Sequence, residues 1–268
     1  MQVATTLCRG QVGLMAPLVQ VEVNLAGGLP AFAIVGLPAA AVRESKERVR
    51  AALENSGFRF PAGHITVNLA PADLPKEGGR FDLPIALGIL LASGQVEPAR
   101  AAQPGRAPRE FYGELGLSGA LKPVKGVLLA AAQATRERHE ILVPSLNAHE
   151  ACIVARKESV LAVGHLVEAC AYLRGERPGA QADERARVQA AAAARPPALD
   201  LSEIRGQHHA KRALIIAAAG AHSLLFFGPP GAGKSMLAAA LPDLLPPLTR
   251  AEALQVAMIA SVSASGFD

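Results

Sequence analysis

The sequence predicts an α/β protein in two parts, an N-terminal α/β domain over residues 1–175 and the beginning of a P-loop α/β domain over residues 199–268. Three observations carry this. Strand-like and helix-like patterns alternate through the first part. Residues 176–198 then change character: Pro178, Gly179, mixed charge, the tract from Ala190 to Ala194 and Pro196-Pro197 read as a linker. Finally, Gly228-Pro229-Pro230-Gly231-Ala232-Gly233-Lys234-Ser235 matches the phosphate-loop pattern G-x-x-x-x-G-K-[ST] at every fixed position.

The first part opens with strict alternation over residues 19–25, Val-Gln-Val-Glu-Val-Asn-Leu, as a half-buried strand requires. Gly27-Gly28 is a turn signal and residues 31–35 a second apolar run, so the pair predicts a hairpin. A helix is predicted over residues 39–55, with Val42, Val49 and Leu53 on one face and Gly57 as its stop. Its charges Arg43 and Glu47, and Glu44 and Arg48, stand four apart and suit a solvated, self-paired face. Residues 64–69 read as a strand leading into a loop over residues 70–80. Asp82 suits an N-cap for an apolar helix over residues 83–92, with Pro84 in the first turn. Further strands follow at residues 111–117, 141–143 and 160–163, with helices over residues 125–138 and 166–173.

In the second part, residues 222–227 form a short apolar run feeding the phosphate loop, as a buried parallel strand does, and residues 235–241 read as the helix after it. The glycines let backbone N–H groups converge on an anion with no side chain in the way. Lys234 brings a point charge for the β/γ-phosphates, and the Ser235 hydroxyl suits Mg²⁺.

Composition excludes little. The formal charge of +4 permits a nucleic-acid partner without arguing for one. Cys8, Cys152 and Cys170 lack C-x-x-C spacing, so a reducing cytoplasm is the simplest reading. The longest apolar run, residues 213–227, is interrupted by Gly220, His222 and Ser223 and is too short to span a bilayer. No signal-peptide pattern follows Met1. His208 and His209 are adjacent, so a helix points them apart, and His139, His149 and His165 show no partner in the sequence; no zinc site is expected.

The stretch Asp200-Leu201-Ser202-Glu203-Ile204-Arg205-Gly206-Gln207, then Lys211 to Leu214, Ala217 to His222, Gly228 to Ala238 and the prolines at Leu241-Pro242 and Leu245-Pro246-Pro247, resembles the ComM/YifB branch of the magnesium-chelatase-like AAA+ ATPases. The resemblance implies ATP and Mg²⁺ as ligands, held by Gly228, Pro229, Pro230, Gly231, Ala232, Gly233, Lys234, Ser235 and Met236, with Ile204, Gly206 and Gln207 beside the adenine and Ser235 on the metal. Read without the family, Gly206-Gln207 is a plain turn at a helix start. The first domain resembles the Lon-protease-like fold found in the same family and in RadA. Arg80 falls where Lon proteases carry the nucleophilic serine and Leu128 where they carry the lysine, so neither half of a Ser-Lys pair is present. Lys76 and Arg80 could meet a phosphate backbone, or Arg80 could pair locally and brace the fold.

Hydrolysis needs an acidic residue to organise Mg²⁺ and water and an arginine for the transition-state charge. Neither can be placed: Asp243 and Glu252 lie in the wrong context, and the family's acidic strand is expected beyond Asp268. No catalytic residue is assigned, and the sequence reads as the N-terminal piece of a longer ATPase. The resemblance implies a homo-oligomeric ring, a hexamer, that drives DNA branch migration in natural transformation, with no membrane partner. The alternatives are a chelatase-type motor acting on a protein, a non-catalytic remnant and, least in keeping with Arg80 and Leu128, a Lon-like peptidase.

Overall fold

The structure is a computed structural model and describes residues 2–99, 107–176 and 200–263. It divides into two compact units, residues 1–188 with 255–268, and residues 189–254. The predicted linker lies, from residue 177 on, outside the described residues.

The first unit is built on a seven-stranded sheet in the order β3-β4-β2-β1-β5-β8-β9. Its strands are β1 (Gln2–Arg9), β2 (Leu18–Ala26), β3 (Ala31–Val35), β4 (His64–Ala70), β5 (Arg109–Phe111), β8 (Glu140–Pro144) and β9 (Val160–Val163). Between β5 and β8 comes a small antiparallel pair, β6 (Glu114–Leu115) and β7 (Leu121–Lys122). Most neighbours in the large sheet are parallel; β1–β2 and β2–β4 are antiparallel. The alternation seen in the sequence is real: Val19, Val21 and Val23 of β2 and Ile65, Val67 and Leu69 of β4 all face the core.

β1 had no sequence signal because its inward residues include polar Thr6 beside Cys8, which hides the alternation. Burial of Thr6 is satisfied by its hydroxyl, which donates to the Pro84 carbonyl at 2.9 Å. At its far end β1 meets β5 in parallel, with Leu7 opposite Glu110.

The expected β2–β3 hairpin does not form. β4 lies between them, antiparallel to β2 over seven paired residues from Gln20↔Ala70 to Ala26↔His64, and parallel to β3. The reason lies in the helix that follows. A parallel pair needs a crossover, and α1 (Ala40–Asn55) supplies it, burying Val42, Ser45, Val49, Ala52 and Leu53. The close turn after β3 depends on Gly36, whose φ is 97° and where an added Cβ would collide with the Leu69 carbonyl oxygen.

α2 (Asp82–Ala92) is apolar all round and buried along almost its whole length, as a helix packed inside a core should be. Asp82 is not the cap the sequence suggested, since no side chain caps this helix. Its carboxylate instead accepts from Arg48 Nε and Nη2 at 2.7 and 3.0 Å and from the Leu115 N–H at 3.2 Å. Arg48 therefore reaches across to α2 rather than pairing with Glu44 along its own helix. Packing won over local pairing because a buried carboxylate needs partners far more than an exposed one does.

α3 (Val127–Glu137), the short α4 (Ala148–Cys152) and α5 (Leu166–Leu173) complete the unit. His165 caps α5: Nδ1 accepts from the Val167 N–H at 3.2 Å, which leaves Nε2 to donate to the Ser118 carbonyl at 3.0 Å.

The second unit holds α6 (His208–Gly220), α7 (Lys234–Ala239), α8 (Leu241–Leu244) and the first turn of α9 (Arg250–Val262). Its apolar cluster among the described residues is small: Ile204, Leu237 and Ala240, with Leu201, Ala210 and Phe226 against them, and Leu214, Ala217 and Ala218 of α6 are buried as well. Residues 222–227 are not a strand here, and Leu225 and Phe227 are 88% and 99% exposed. A strand needs a neighbour to take its backbone bonds, and no strand occurs among the described residues of this unit.

Candidate phosphate-loop site

The loop curls as its glycines permit. Gly231 and Gly233 hold φ values of 78° and 80°, and an added Cβ on either would meet nothing within 4 Å, so the concavity is open on that side. Gly233 precedes α7, whose first turn carries Lys234, Ser235 and Met236. The N–H groups of a first helical turn have no partner within the helix and are free for an anion. Ser235 and Met236 are exposed. The Lys234 ammonium folds over the loop and donates to the carbonyls of Gly228 and Pro229 at 2.9 and 2.7 Å. A backbone bond from Ala232 N–H to the Pro229 carbonyl, 3.4 Å, closes the turn across Pro230.

Gln207 joins this site. It stands before α6 with φ of 55°, and its side-chain amide donates to the Ala232 carbonyl at 3.3 Å. Gly206 beside it also has positive φ, 68°, and both are exposed. Ile204 is buried against Leu237 of α7, while Lys211 ties the segment down by donating to the Ile204 carbonyl. Every predicted site residue thus falls on one phosphate-loop surface or on the turn hydrogen-bonded to it. The set of backbone donors, one ammonium and one hydroxyl fits a phosphate with its magnesium ion.

The loop of residues 70–80 is different. Lys76 is wholly buried and donates to the Pro71 carbonyl; its own backbone bonds Ala39 and Leu37 at 2.9 and 3.4 Å. Burial pulls its ammonium below the usual lysine range, with Asp73 opposing. Arg80 is also buried and donates to Gln11 Oε1 at 2.9 Å and the Lys125 carbonyl at 2.8 Å. Both residues brace the fold, which removes them as contacts to a phosphate backbone. Arg80 bonds the Lys125 carbonyl two residues before α3, the helix that carries Leu128, and neither position bears the hydroxyl or the amine of a serine-lysine pair.

The sequence reading missed a second polar centre in the first unit. Buried Arg9 donates to both carboxylate oxygens of Glu110, at 2.7 to 3.1 Å, to both of Glu137, at 2.5 and 3.2 Å, and to the Ala16 carbonyl at 3.1 Å. His139, which had shown no partner in the sequence, places Nδ1 2.6 Å from Glu110, and the Tyr112 hydroxyl donates to the same carboxylate. Glu110, Glu137 and His139 hold ligand-type atoms within 4.8 Å of one another. Arg9 already supplies the positive charge among them, so this is an ion-pair network rather than a metal centre. The Arg9 bond, with help from Gln133, holds Glu137 down at about 2, while burial pushes the neighbouring Cys8 thiol up to about 12.

Among the described residues no helix is long and apolar enough to cross a membrane. Residues 21–147 match the family described as subunit ChlI of Mg-chelatase, and residues 200–268 match magnesium chelatase, subunit ChlI. The chain is 47% identical over 262 residues to Competence protein ComM of Haemophilus influenzae, covering 98% of this chain and 50% of that protein. It is 45% identical over 266 residues to YifB of Salmonella typhimurium, with the same coverage of 98% and 50%, and 44% identical over 254 residues to YifB of Escherichia coli, covering 95% and 48%. The chain spans about half the length of the curated relatives it matches. Two matched stretches of one family on either side of residues 148–199, and close identity along nearly all of this chain, place it: it belongs to the ComM/YifB family of magnesium-chelatase-like proteins.

Proposed function

We propose that residues 228–236 bind ATP with Mg²⁺, and that the complete protein is an ATP-hydrolysing AAA+ motor. The observation that carries this is the open curl at Gly231 and Gly233 leading directly to Lys234 and Ser235. Lys234 would turn from the loop carbonyls to the β/γ-phosphates and Ser235 would take Mg²⁺, with Gly206 and Gln207 beside the base. The bound Mg²⁺ supplies charge neutralisation at the phosphates. Residues 1–175 serve as a Lon-protease-like, non-proteolytic module joined to the nucleotide domain from residue 199. The likeness to a protein named Competence protein ComM supports a competence-related role. Within that role the client is DNA, namely branch migration during recombination in natural transformation, by a hexameric ring in the cytoplasm.

Calorimetry of Mg·ATP with this chain tests the site. Lys234→Ala is expected to weaken binding about 10- to 100-fold, the worth of a charge-assisted contact. Equal binding by both proteins would remove the loop from consideration. For the client, ATPase activity of the full-length relative-sized protein is expected to rise with branched DNA; no response to DNA would favour a motor acting on a protein.

A further inference from the structure

The C-terminal part of α9, from Gln255 on, belongs to the first unit. It is attached by little. Ser261 alone among the residues of this helix is fully buried, at 1% exposure, and Met258 and Val262 are partly buried against the core. Val256 and Ile259 stand 56% and 55% exposed.

What Ser261 meets has a frame of its own. Its hydroxyl donates to Glu150 Oε1, and its carbonyl accepts from the Gly126 N–H at 2.9 Å. Glu150 is 5% exposed, and its carboxylate also accepts from the Leu128 N–H and the Asn147 side-chain amide, each at 3.0 Å. Asn147 is fixed in turn by the N–H and the carbonyl of Val124, both at 2.9 Å. The Gly126 N–H belongs to the same peptide unit as the Lys125 carbonyl, which accepts from Arg80 at 2.8 Å. A planar trans peptide sends these two groups in opposite directions, so Arg80 on one side aims the N–H on the other.

Neither the acceptor nor the donor therefore depends on α9 for its position. Together they read one residue twice, by its hydroxyl and by its main-chain carbonyl. Departure of the helix end breaks two hydrogen bonds, both of which water can replace, and uncovers parts of two apolar side chains. Preformed partners with a thin attachment describe a binding site whose occupant can leave.

We propose that Gly126, Glu150 and the apolar surface beside them form a docking site for a helix end presenting a serine with apolar residues three before and one after it, and that residues 258–262 of this chain occupy it as a releasable latch. A segment of the same chemistry supplied from outside competes for the site.

Fluorescence anisotropy of a labelled peptide of residues 249–263 with the 268-residue chain tests this. The wild type, its site filled by its own segment, is expected to bind the peptide weakly. Ser261→Asp in the chain sets a second carboxylate against Glu150 and vacates the site, and Val262→Asp vacates it by a second route. Each is expected to tighten peptide binding at least about tenfold with unchanged far-UV circular dichroism. Ser261→Ala in the peptide is then expected to weaken binding about tenfold or more, the worth of a hydrogen bond to a charged group. Amide exchange at Gly126, read by NMR, is expected to quicken in the vacated chains and to slow again when the peptide is added. Equal peptide binding by the wild type and both vacated chains overturns the proposal, as does a peptide indifferent to Ser261→Ala or a Gly126 amide that the peptide does not protect. Loss of the fold in both variants overturns it too, since α9 is then part of the core.

Discussion

Arg9 and Glu110 are separated by 101 residues in sequence and by hydrogen-bond distance in space, and both are buried. A buried ion pair need not stabilise relative to apolar residues of the same shape, but breaking it leaves a charge without a partner. Arg9→Ala is therefore expected to cost about 3–5 kcal/mol in urea denaturation; a loss under about 1 kcal/mol would show that Tyr112 and His139 satisfy Glu110 unaided. Asp82 makes a different prediction. Burial pushes its carboxyl up to about 6 despite the pull of Arg48, whose guanidinium the same carboxylate holds above its usual range. Because the folded state holds this proton more tightly than the unfolded chain, the Asp82 contribution is most favourable below about pH 4 and is lost as pH rises towards 6. The stability of the wild type minus that of Asp82→Asn should fall across that window by about 3 kcal/mol; a difference that is flat with pH would mean the carboxyl stays charged. Glu137 has the opposite sign, its contribution being kept above about pH 4.5 and lost as pH falls towards 2. None of these pairings was legible in the sequence, because each partner comes from an element distant along the chain, and local spacing offered Arg48 a nearer acid in Glu44.

At the scale of elements, local pattern was a good guide wherever one residue period governed the outcome. The helix predicted over residues 39–55 is α1 at Ala40–Asn55, and β2, β4, β9 and α5 stand close to their expected positions. The curl before α7 was legible for a related reason, since positive φ at Gly231 and Gly233 follows from residue identities at fixed spacing. Strand order was not legible. Nothing in Gly27-Gly28 distinguishes a hairpin turn from a longer excursion, and only the need of α1 to cover the sheet moves β3 beyond β4. Gly36 marks that excursion, and its replacement can test it. Gly36→Ala combines a positive φ with a backbone collision and is expected to cost about 3 kcal/mol in thermal or urea unfolding. A loss below about 0.5 kcal/mol would mean that the β3–α1 turn relaxes freely. The run at residues 222–227 shows the limit of pattern: its apolar residues announce a strand, but pairing has to come from elsewhere in the fold.

For the molecule as a whole, the unequal cores imply unequal stabilities. Among the described residues the first unit carries the continuous core, from Cys8 and Val19 to Cys170 and Leu173, whereas the second has the small cluster around Ile204 and the buried Leu214, Ala217 and Ala218 of α6. Scanning calorimetry is expected to show a dominant transition from the first unit, with Mg·ATP raising only a smaller, lower one from the second. A nucleotide shift of the dominant transition instead would place the ligand on the first unit. The sheet of that unit has its own division. β3, β4, β2 and β1 all come from residues 2–70 and β5, β8 and β9 from residues 109–163, and the two sets join where Leu7 of β1 faces Glu110 of β5 and Arg9 bonds the Glu110 carboxylate. Each set closes over short chain distances, whereas the join between them must draw together residues about 100 apart, at a higher loop-closure cost. The join should therefore zip last in refolding. In stopped-flow experiments Arg9→Ala, which loosens that join, should speed unfolding while leaving the refolding rate nearly unchanged, and a slowed refolding arm would place the join in the nucleus instead.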